Sequence, residues 1–382
     1  MQFLYSHFEK ILDSYVGRLP LAHVLREYGK RNPKLGSRDR KILSEMLYSW
    51  FRSSKCFTNT VDIKSRIHQC VFICGSAHSP AKRILPVAFQ ENITLPYHEK
   101  LSWLSHQGIA FEPHEILPHS ARFSDGISRD AWISSMFQQP KLFLRIRKHE
   151  SQLADMLIKH QVPFERITET CWALPNSTPV QKLLPADSYV VQDFSSQSTA
   201  HWFAPKPNEQ WWDCCSGAGG KSLLLKDLEP SVILTVSDIR PSILHNLKER
   251  FRIYGHRVEQ SFVSDLTQPL KFSFTDFNGI ICDVPCSGSG TWGRTPEQLY
   301  FYQPESLSSF TERQKIIAGT ASKHLHQTGK MLYITCSVWQ EENEDVIRFL
   351  EAEHSLICED SQIINGIPYG ADSMFVAVLR LG

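Results

Sequence analysis

WWDCCSGAGGKS, residues 211–222, decides the fold. A short apolar run ends here in a cluster of small residues, with Gly217, Gly219 and Gly220 leading into the helical pattern that follows. Glycine lets a backbone approach a ligand closely, and the N-terminus of the ensuing helix offers N–H groups with no partner inside the helix. The stretch is not a P-loop, because G-x-x-x-x-G-K-[ST] would require glycine at position 215, where Cys215 stands. Nor does it spell G-x-G-x-x-G. A glycine turn alone is weak evidence for a cofactor, so the flanking pattern has to supply the rest.

Working outward, WWDCC, VILTVSD, VEQSFVSD, GIICDVP and KMLYITC read as five buried strands, with helices such as SILHNLKERF between them. That alternation from residue 189 onward predicts a doubly wound, mainly parallel sheet of Rossmann-like type. SMFVAVLRLG at the end reads as a last strand tucked into it. Three strands finish in an acid: Asp238 in VSDIR, Asp265 in VSDLT and Asp283 in CDVPC. Ligands of open α/β sheets bind at the carboxyl ends of the strands. An acid after the second strand suits a ribose diol, and one after the third can accept from an adenine amino group. Glycine loop plus serial strand-end acids is more typical of S-adenosylmethionine enzymes than of dinucleotide enzymes. Any single Asp could instead cap its own helix.

Two cysteines share this end of the sheet. Cys286 follows the fourth strand in DVPCSGSGTWGRTPE, and Cys336 closes the fifth in YITCSVWQEENEDV. Neighbouring strand ends should open both thiols into one crevice with the cofactor. Such thiols suit the chemistry of cytosine. Carbon 5 is a poor nucleophile until a thiolate adds to carbon 6, and a base must later remove the carbon 5 proton. The reactive species is the thiolate. A pair within about 7 Å could also form a disulfide switch. Spacing does not rank the two thiols.

These motifs resemble the RsmB/Sun (Fmu) family of RNA (cytosine-5) methyltransferases. DCCSGAGGKS resembles the family's cofactor loop, DVPCSGSG its Pro-Cys-Ser motif, and YITCS with ENEDV its Thr-Cys-Ser motif. VQDFSSQSTA is similar to the segment leading into the methyltransferase domain, PKLFLRIRK to the start of a small ferredoxin-like domain, and LGSRDRKILSEMLYSWFR to a NusB-like helical domain. The resemblance implies Cys336 as nucleophile and Cys286 as the residue that aids product release. Without it, the Pro-Cys cysteine used by DNA cytosine-5 enzymes would point the other way. It further implies that Cys215, Ser216, Gly217, Ala218, Gly219, Gly220 and Lys221, with Asp238 and Asp265, hold S-adenosylmethionine. Asp283 would position the cofactor and engage the cytosine edge. The implied substrate is ribosomal RNA. Two departures stand out: Ser216-Gly217-Ala218 where Ala-Ala-Pro is frequent, and Gly293 where an arginine is frequent, leaving Arg294.

The domain expectation is a helical, NusB-like RNA-binding domain over 1–135, a small α+β unit over 136–188, and the methyltransferase domain over 189–382. Helical spacing of Phe3, Leu4, Phe8, Ile11, Leu12 and Tyr15 opens the first, and Ser37 reads as the N-cap of a helix presenting Ile42, Leu43, Met46, Leu47, Trp50 and Phe51. Residues 57–75 read as another helix, and 76–135 as short helices and loops. KLFLRIRK reads as a strand whose Lys141, Arg145, Arg147 and Lys148 face either solvent or RNA.

Composition narrows the rest. Lys plus Arg total 41 against 40 acids, so RNA binding would need a local basic surface rather than a whole-protein field. Glu9, Lys10 and Asp13 break any signal-peptide core, no run is long enough to span a membrane, and the ten cysteines then read as cytosolic thiols. Cys70 and Cys74 have no partner pair at zinc-ligand spacing, so no metal is expected. The expectation is a cytoplasmic monomer, with substrate selection falling to the first 190 residues and the crevice rim. Competing readings are a methyltransferase of exocyclic amines, opposed by DVPC in place of an Asn/Asp-Pro-Pro-aromatic turn, a methyltransferase of tRNA, and a non-catalytic RNA-binding or ribosome-assembly factor.

Overall fold

The computed structural model describes residues 2–117, 122–270 and 276–382. The chain forms two compact units, Met1–Ala121, Ser128–Gln139 and Thr291–Pro304 in the first, and Arg122–Ile127, Pro140–Gly290 and Glu305–Gly382 in the second. No helix among the described residues is long and apolar enough to cross a membrane.

The first unit is helical. Gln2–Ser14, Leu21–Arg31, Ser37–Ser53 and Ile63–Cys74 are its main helices. They bury Phe8, Leu21, Ile42, Met46, Leu47, Val71 and Phe72 completely, the outcome of apolar residues recurring at three and four positions. The third helix starts at Ser37 itself and its N-cap is Gly36, with no side-chain capping bond, which corrects the expected cap. The next helix begins only at Ile63 because Asp62 caps it, accepting from the N–H groups of Lys64 and Ser65. Beyond it come short helices, among them Val87–Asn92, Tyr97–His106 and Arg129–Met136, and residues 118–121 of that stretch lie outside the described residues. Residues 291–304, expected within the third domain, cluster with this unit. The buried Glu297 accepts from the N–H of Leu21, and Arg52 donates to the carbonyls of Met136 and Gly293.

The second unit holds two sheets. The smaller one contains β1 (Leu142–Ile146), β2 (Glu165–Arg166), β3 (Cys171–Leu174) and β4 (Tyr189–Val191), in the order β2-β3-β1-β4 with every pair antiparallel. With the helix Glu150–Lys159 after β1 and Val180–Leu183 after β3, this is a ferredoxin-like βαββαβ arrangement. Its last strand lies at 189–191, past the expected limit at residue 188.

The expected basic strand face is corrected at Arg145 and Arg147. Arg145 is buried and binds Asp227 and Gln192, and Arg147 forks onto Asp227. Lys141 pairs with Glu165, and Lys148 with Asp187. Arg145 and Arg147 are thus spent on internal ion pairs, while Lys141 and Lys148 stay at the surface.

The larger sheet contains β5 (Gln210–Asp213), β6 (Ile233–Asp238), β7 (Gln260–Val263), β8 (Phe277–Asp283), β9 (Leu325–Thr335), β10 (Leu356–Ile364) and β11 (Met374–Leu381), ordered β10-β11-β9-β8-β5-β6-β7. β9, β8, β5, β6 and β7 run parallel, and β11 lies antiparallel between β9 and β10. The chain steps from β5 outward to β6 and β7, then returns to β8 on the other side. The topological switch, where such sheets bind ligands, therefore falls between β5 and β8. Both edges depart from expectation for one reason. β7 is half-exposed rather than buried, and β10 carries Cys358-Glu359-Asp360-Ser361-Gln362, too polar to read as a core strand.

Candidate active site

The site is built on the carboxyl ends of β5, β6, β8 and β9. After β5 the chain turns through Cys214–Gly219 into the helix Gly220–Leu228. The turn is pinned to the neighbouring strand: the N–H and hydroxyl of Ser216 both donate to the carbonyl of Ser237, at 2.9 and 3.1 Å. Gly219 sits at φ 77°, and a Cβ there would lie 2.7 Å from Leu247, so any side chain would push the loop off the helix Pro241–Ile253. Gly217, at φ 50°, faces open space.

Asp238 closes β6 directly beside this loop. One carboxylate oxygen accepts from the Gly217 N–H at 3.0 Å, and Arg240 forks onto the carboxylate through its side chain at 2.9 and 3.1 Å. Bonds from Arg240 and Gly217 overcome burial and hold the Asp238 carboxyl below its ordinary value. Asp265, two residues past β7, accepts from the N–H and hydroxyl of Thr267 at 3.0 and 2.7 Å, a capping arrangement within its own turn. Asp283, at the end of β8, receives Lys221 Nζ at 2.7 Å, which ties the glycine-loop helix to the strand that leads to Cys286. The thiol of the half-buried Cys215 is pushed well above its ordinary value by a hydrogen bond with Cys214, by desolvation, and by the nearby charges of Asp213 and Asp283.

The two cysteines meet. Cys286 Sγ and Cys336 Sγ are 3.1 Å apart, although 50 positions separate them in the chain. Adjacent parallel strands β8 and β9 bring them together, and the loops beyond are laced to each other. The Gly290 N–H donates to the Cys336 carbonyl at 2.9 Å, the Ser289 hydroxyl lies 3.0 Å from that of Ser337, and the Val338 N–H donates to Ser289 at 2.9 Å. A Cβ on Gly290 would stand 2.0 Å from the Ser373 carbonyl, so only glycine fits there. The Cys286 thiol is pushed well above its ordinary value by its bond with Cys336, by burial, and by the nearby Cys336 and Glu342.

Three residues escaped the reading of the sequence. Glu342 is fully buried, and its carboxylate accepts from the Ser287 N–H at 2.8 Å, the Ser287 hydroxyl at 2.5 Å and Gln314 Nε2 at 2.9 Å. Asn343, also fully buried, accepts from Thr335 at 2.6 Å and donates to the Ser337 carbonyl at 3.0 Å. Glu342 thus fixes the Cys286 loop and Asn343 the Cys336 turn. Their signal was a Glu-Asn pair soon after a strand-end cysteine, legible as a motif but not as two separate clamps.

Asp213 is the third. One oxygen accepts from Ser222 at 2.5 Å, while Oδ1 is buried with no partner among the described residues. Burial, opposed by Ser222, raises its carboxyl to about 7. Unfolded, the same carboxyl releases its proton near pH 4. Between pH 4 and 7 the folded chain therefore holds a proton that the unfolded chain has lost, and stability falls as pH rises through that window. Asp213→Asn should remove this dependence. The urea-unfolding free energy of the variant should gain on the original chain by up to roughly 4 kcal/mol from pH 4 to pH 8. A difference that does not change with pH would show that Asp213 ionises normally.

The seven-strand order with an antiparallel β11, a glycine turn after β5 and acids at successive strand ends define a Rossmann-like, class I methyltransferase fold. Residues 200–377 match the family model "16S rRNA methyltransferase RsmB/F". A ribosomal RNA small subunit methyltransferase B of Proteus mirabilis (strain HI4320) is 29% identical over 253 residues, covering 64% of this chain and 60% of the relative. The match to this relative thus spans less than two thirds of its length. Among solved structures, the chain entitled PH0851 superposes with a TM-score of 0.67 at 17% identity, covering 93% of each chain. NSun6 from Pyrococcus horikoshii, solved with SFG, gives 0.55 at 14% identity, covering 63% of this chain and 91% of its own. At such identities the structural likeness concerns the fold.

Proposed function

We propose that the chain is an S-adenosylmethionine-dependent RNA methyltransferase that forms 5-methylcytosine in ribosomal RNA through a covalent adduct between Cys336 and carbon 6 of cytosine. The observation that carries this reading is the pair of sulfurs 3.1 Å apart at neighbouring strand ends. The match of residues 200–377 to the RsmB/F family model supports it.

The residues present suit the cofactor. Gly217 leaves open room, Asp238 stands at the loop, and Asp213 keeps a buried oxygen without a partner. Cys215 through Lys221, with Asp238, Asp265 and Asp283, would hold S-adenosylmethionine. A ribose diol at Asp238 would compete with the Arg240 fork. When bound, the cofactor supplies an electrophilic methyl group.

The chain's own groups do the remaining work. The Cys336 thiolate bonds to carbon 6, and the ring electrons it displaces make carbon 5 nucleophilic. After methylation a base takes the carbon 5 proton, the electron pair re-forms the ring double bond, and Cys336 leaves as thiolate. The resemblance of YITCS and DVPCSGSG to the family's two cysteine motifs supports Cys336 as attacker and Cys286 as the helper in release. Asp283, anchored by Lys221, would engage the cytosine edge. The base must be unpaired or flipped to reach this end of the sheet.

The test is to incubate the purified chain with methyl-labelled S-adenosylmethionine and either naked small-subunit ribosomal RNA or bulk tRNA, then digest to nucleosides. Label in 5-methylcytosine from ribosomal RNA is expected. Label confined to tRNA would move the substrate, and no label together with no cofactor binding by calorimetry would favour a non-catalytic RNA-binding factor.

A further inference from the structure

The chain as a whole is nearly neutral, with a net charge of +1. That neutrality hides one strong asymmetry. Residues 21–41 carry seven cations, Arg26, Lys30, Arg31, Lys34, Arg38, Arg40 and Lys41, against Glu27 and Asp39. This segment therefore holds +5, leaving −4 for everything else. All seven cations are exposed.

They belong to one surface of the helical unit. The segment is a helix, a five-residue loop and the start of a second helix, Leu21–Arg31 and Ser37–Ser53. Leu21, Leu35, Ile42 and Leu43 lock both helices into a single core, which leaves the charged positions outside. The helices touch where Arg40 lies against Gly29, its Cδ 3.0 Å from where a Cβ would be. Compensation within the patch is slight. Lys30 pairs with Glu27 at 2.8 Å in an exposed position, and Asp39 is shared with one more cation, Arg83, at 3.9 Å. Exposed pairs of this kind contribute little and leave the cations accessible.

Helix stability does not account for the pattern. Lys30 and Arg31 end their helix, where cations are favourable. Arg38, Arg40 and Lys41 do the opposite: they crowd the first turns of a helix whose N-cap, Gly36, provides no side-chain acceptor. Cations there add to the positive end of the helix dipole. A local cost of this kind calls for a polyanion to offset it, and the spread of charge over two helices and a loop suits a phosphate backbone better than a single anion.

We infer that the surface formed by Arg26, Lys30, Arg31, Lys34, Arg38 and Lys41 docks the sugar–phosphate backbone of the RNA substrate, holding it independently of base sequence. This rests on RNA being the substrate. Backbone contacts made by cations release counterions, so they appear as salt dependence.

The experiment is fluorescence anisotropy with an end-labelled 24-nucleotide RNA hairpin, titrated at several salt concentrations. Arg31→Gln/Lys34→Gln/Arg38→Gln should weaken binding by about 10-fold and flatten the slope of log K against log salt by about 2 to 3. The charge-keeping set Arg31→Lys/Lys34→Arg/Arg38→Lys should bind as the original chain does. An equal loss of charge elsewhere, Lys248→Gln/Arg252→Gln/Arg257→Gln, should change affinity less than 2-fold. Unchanged affinity in the first set, equal weakening in the last, or equally tight binding to phosphatidylglycerol vesicles would overturn the inference. If affinity is unchanged while ribosomal RNA is still methylated, only the docking surface falls. An original chain that neither binds nor methylates RNA fails the functional reading itself.

Discussion

Cys336→Ala is expected to lower methyl transfer to RNA by about 10⁴-fold or more, the scale of losing a covalent nucleophile. Cofactor affinity, measured by calorimetry, should remain. The reason is geometric as well as chemical. Cys336 ends β9 in a turn clamped by Asn343, and its sulfur has a thiol neighbour 3.1 Å away to steady it. Cys286→Ala and Cys286→Ser should behave differently, forming the adduct but releasing it slowly, so that a protein–RNA band survives denaturing electrophoresis. Should the bands appear with Cys336→Ala and vanish with Cys286→Ala, the two roles would have to be exchanged. Full activity in Cys336→Ala would end the covalent mechanism.

The second large effect concerns Glu342→Ala. Removing this carboxylate takes the acceptor from the N–H and hydroxyl of the half-buried Ser287 and one of two acceptors from Gln314 Nε2, which keeps the Pro285 carbonyl, and leaves a cavity. Unsatisfied buried donors cost about 1 to 3 kcal/mol each, partly offset because the buried charge disappears too. A net loss of about 3 kcal/mol is expected in urea unfolding. Glu342→Gln keeps the volume and one acceptor, and should lose about half as much. Because Glu342 acts through the Cys286 loop, the glutamine variant should also lower the turnover number while leaving KM for RNA and cofactor affinity nearly unchanged. A loss below about 1 kcal/mol in Glu342→Ala would mean that the loop holds its shape without the carboxylate.

Local pattern explains why so much was legible. The glycine turn at 217–220, the strand-end acids and the cysteines after β8 and β9 are read from short stretches, and parallel neighbouring strands already imply one shared crevice. Local pattern also explains the misses. A Ser before a helical run looks like a cap, yet Gly36 takes that position because the helix begins one residue earlier than the cap would require. An edge strand such as β10 loses the apolar signature of a core strand on the sides that face solvent.

By itself, then, the sequence determined the doubly wound sheet, the helical first part, the small α+β insert and the short stretches that hold the candidate site residues. These follow from periodicity, turn residues and motif spacing, all properties of neighbours along the chain. Tertiary structure alone decided which groups meet. It set the sulfurs 3.1 Å apart, moved residues 291–304 into the helical unit, and turned Arg145 and Arg147 inward onto Asp227. It also placed Glu342 beneath the Cys286 loop and left Asp213 with a buried oxygen unpartnered. Burial and partnership depend on residues tens to hundreds of positions away, and a carboxylate or guanidinium reads the same in a sequence whether it faces water or a buried counter-charge.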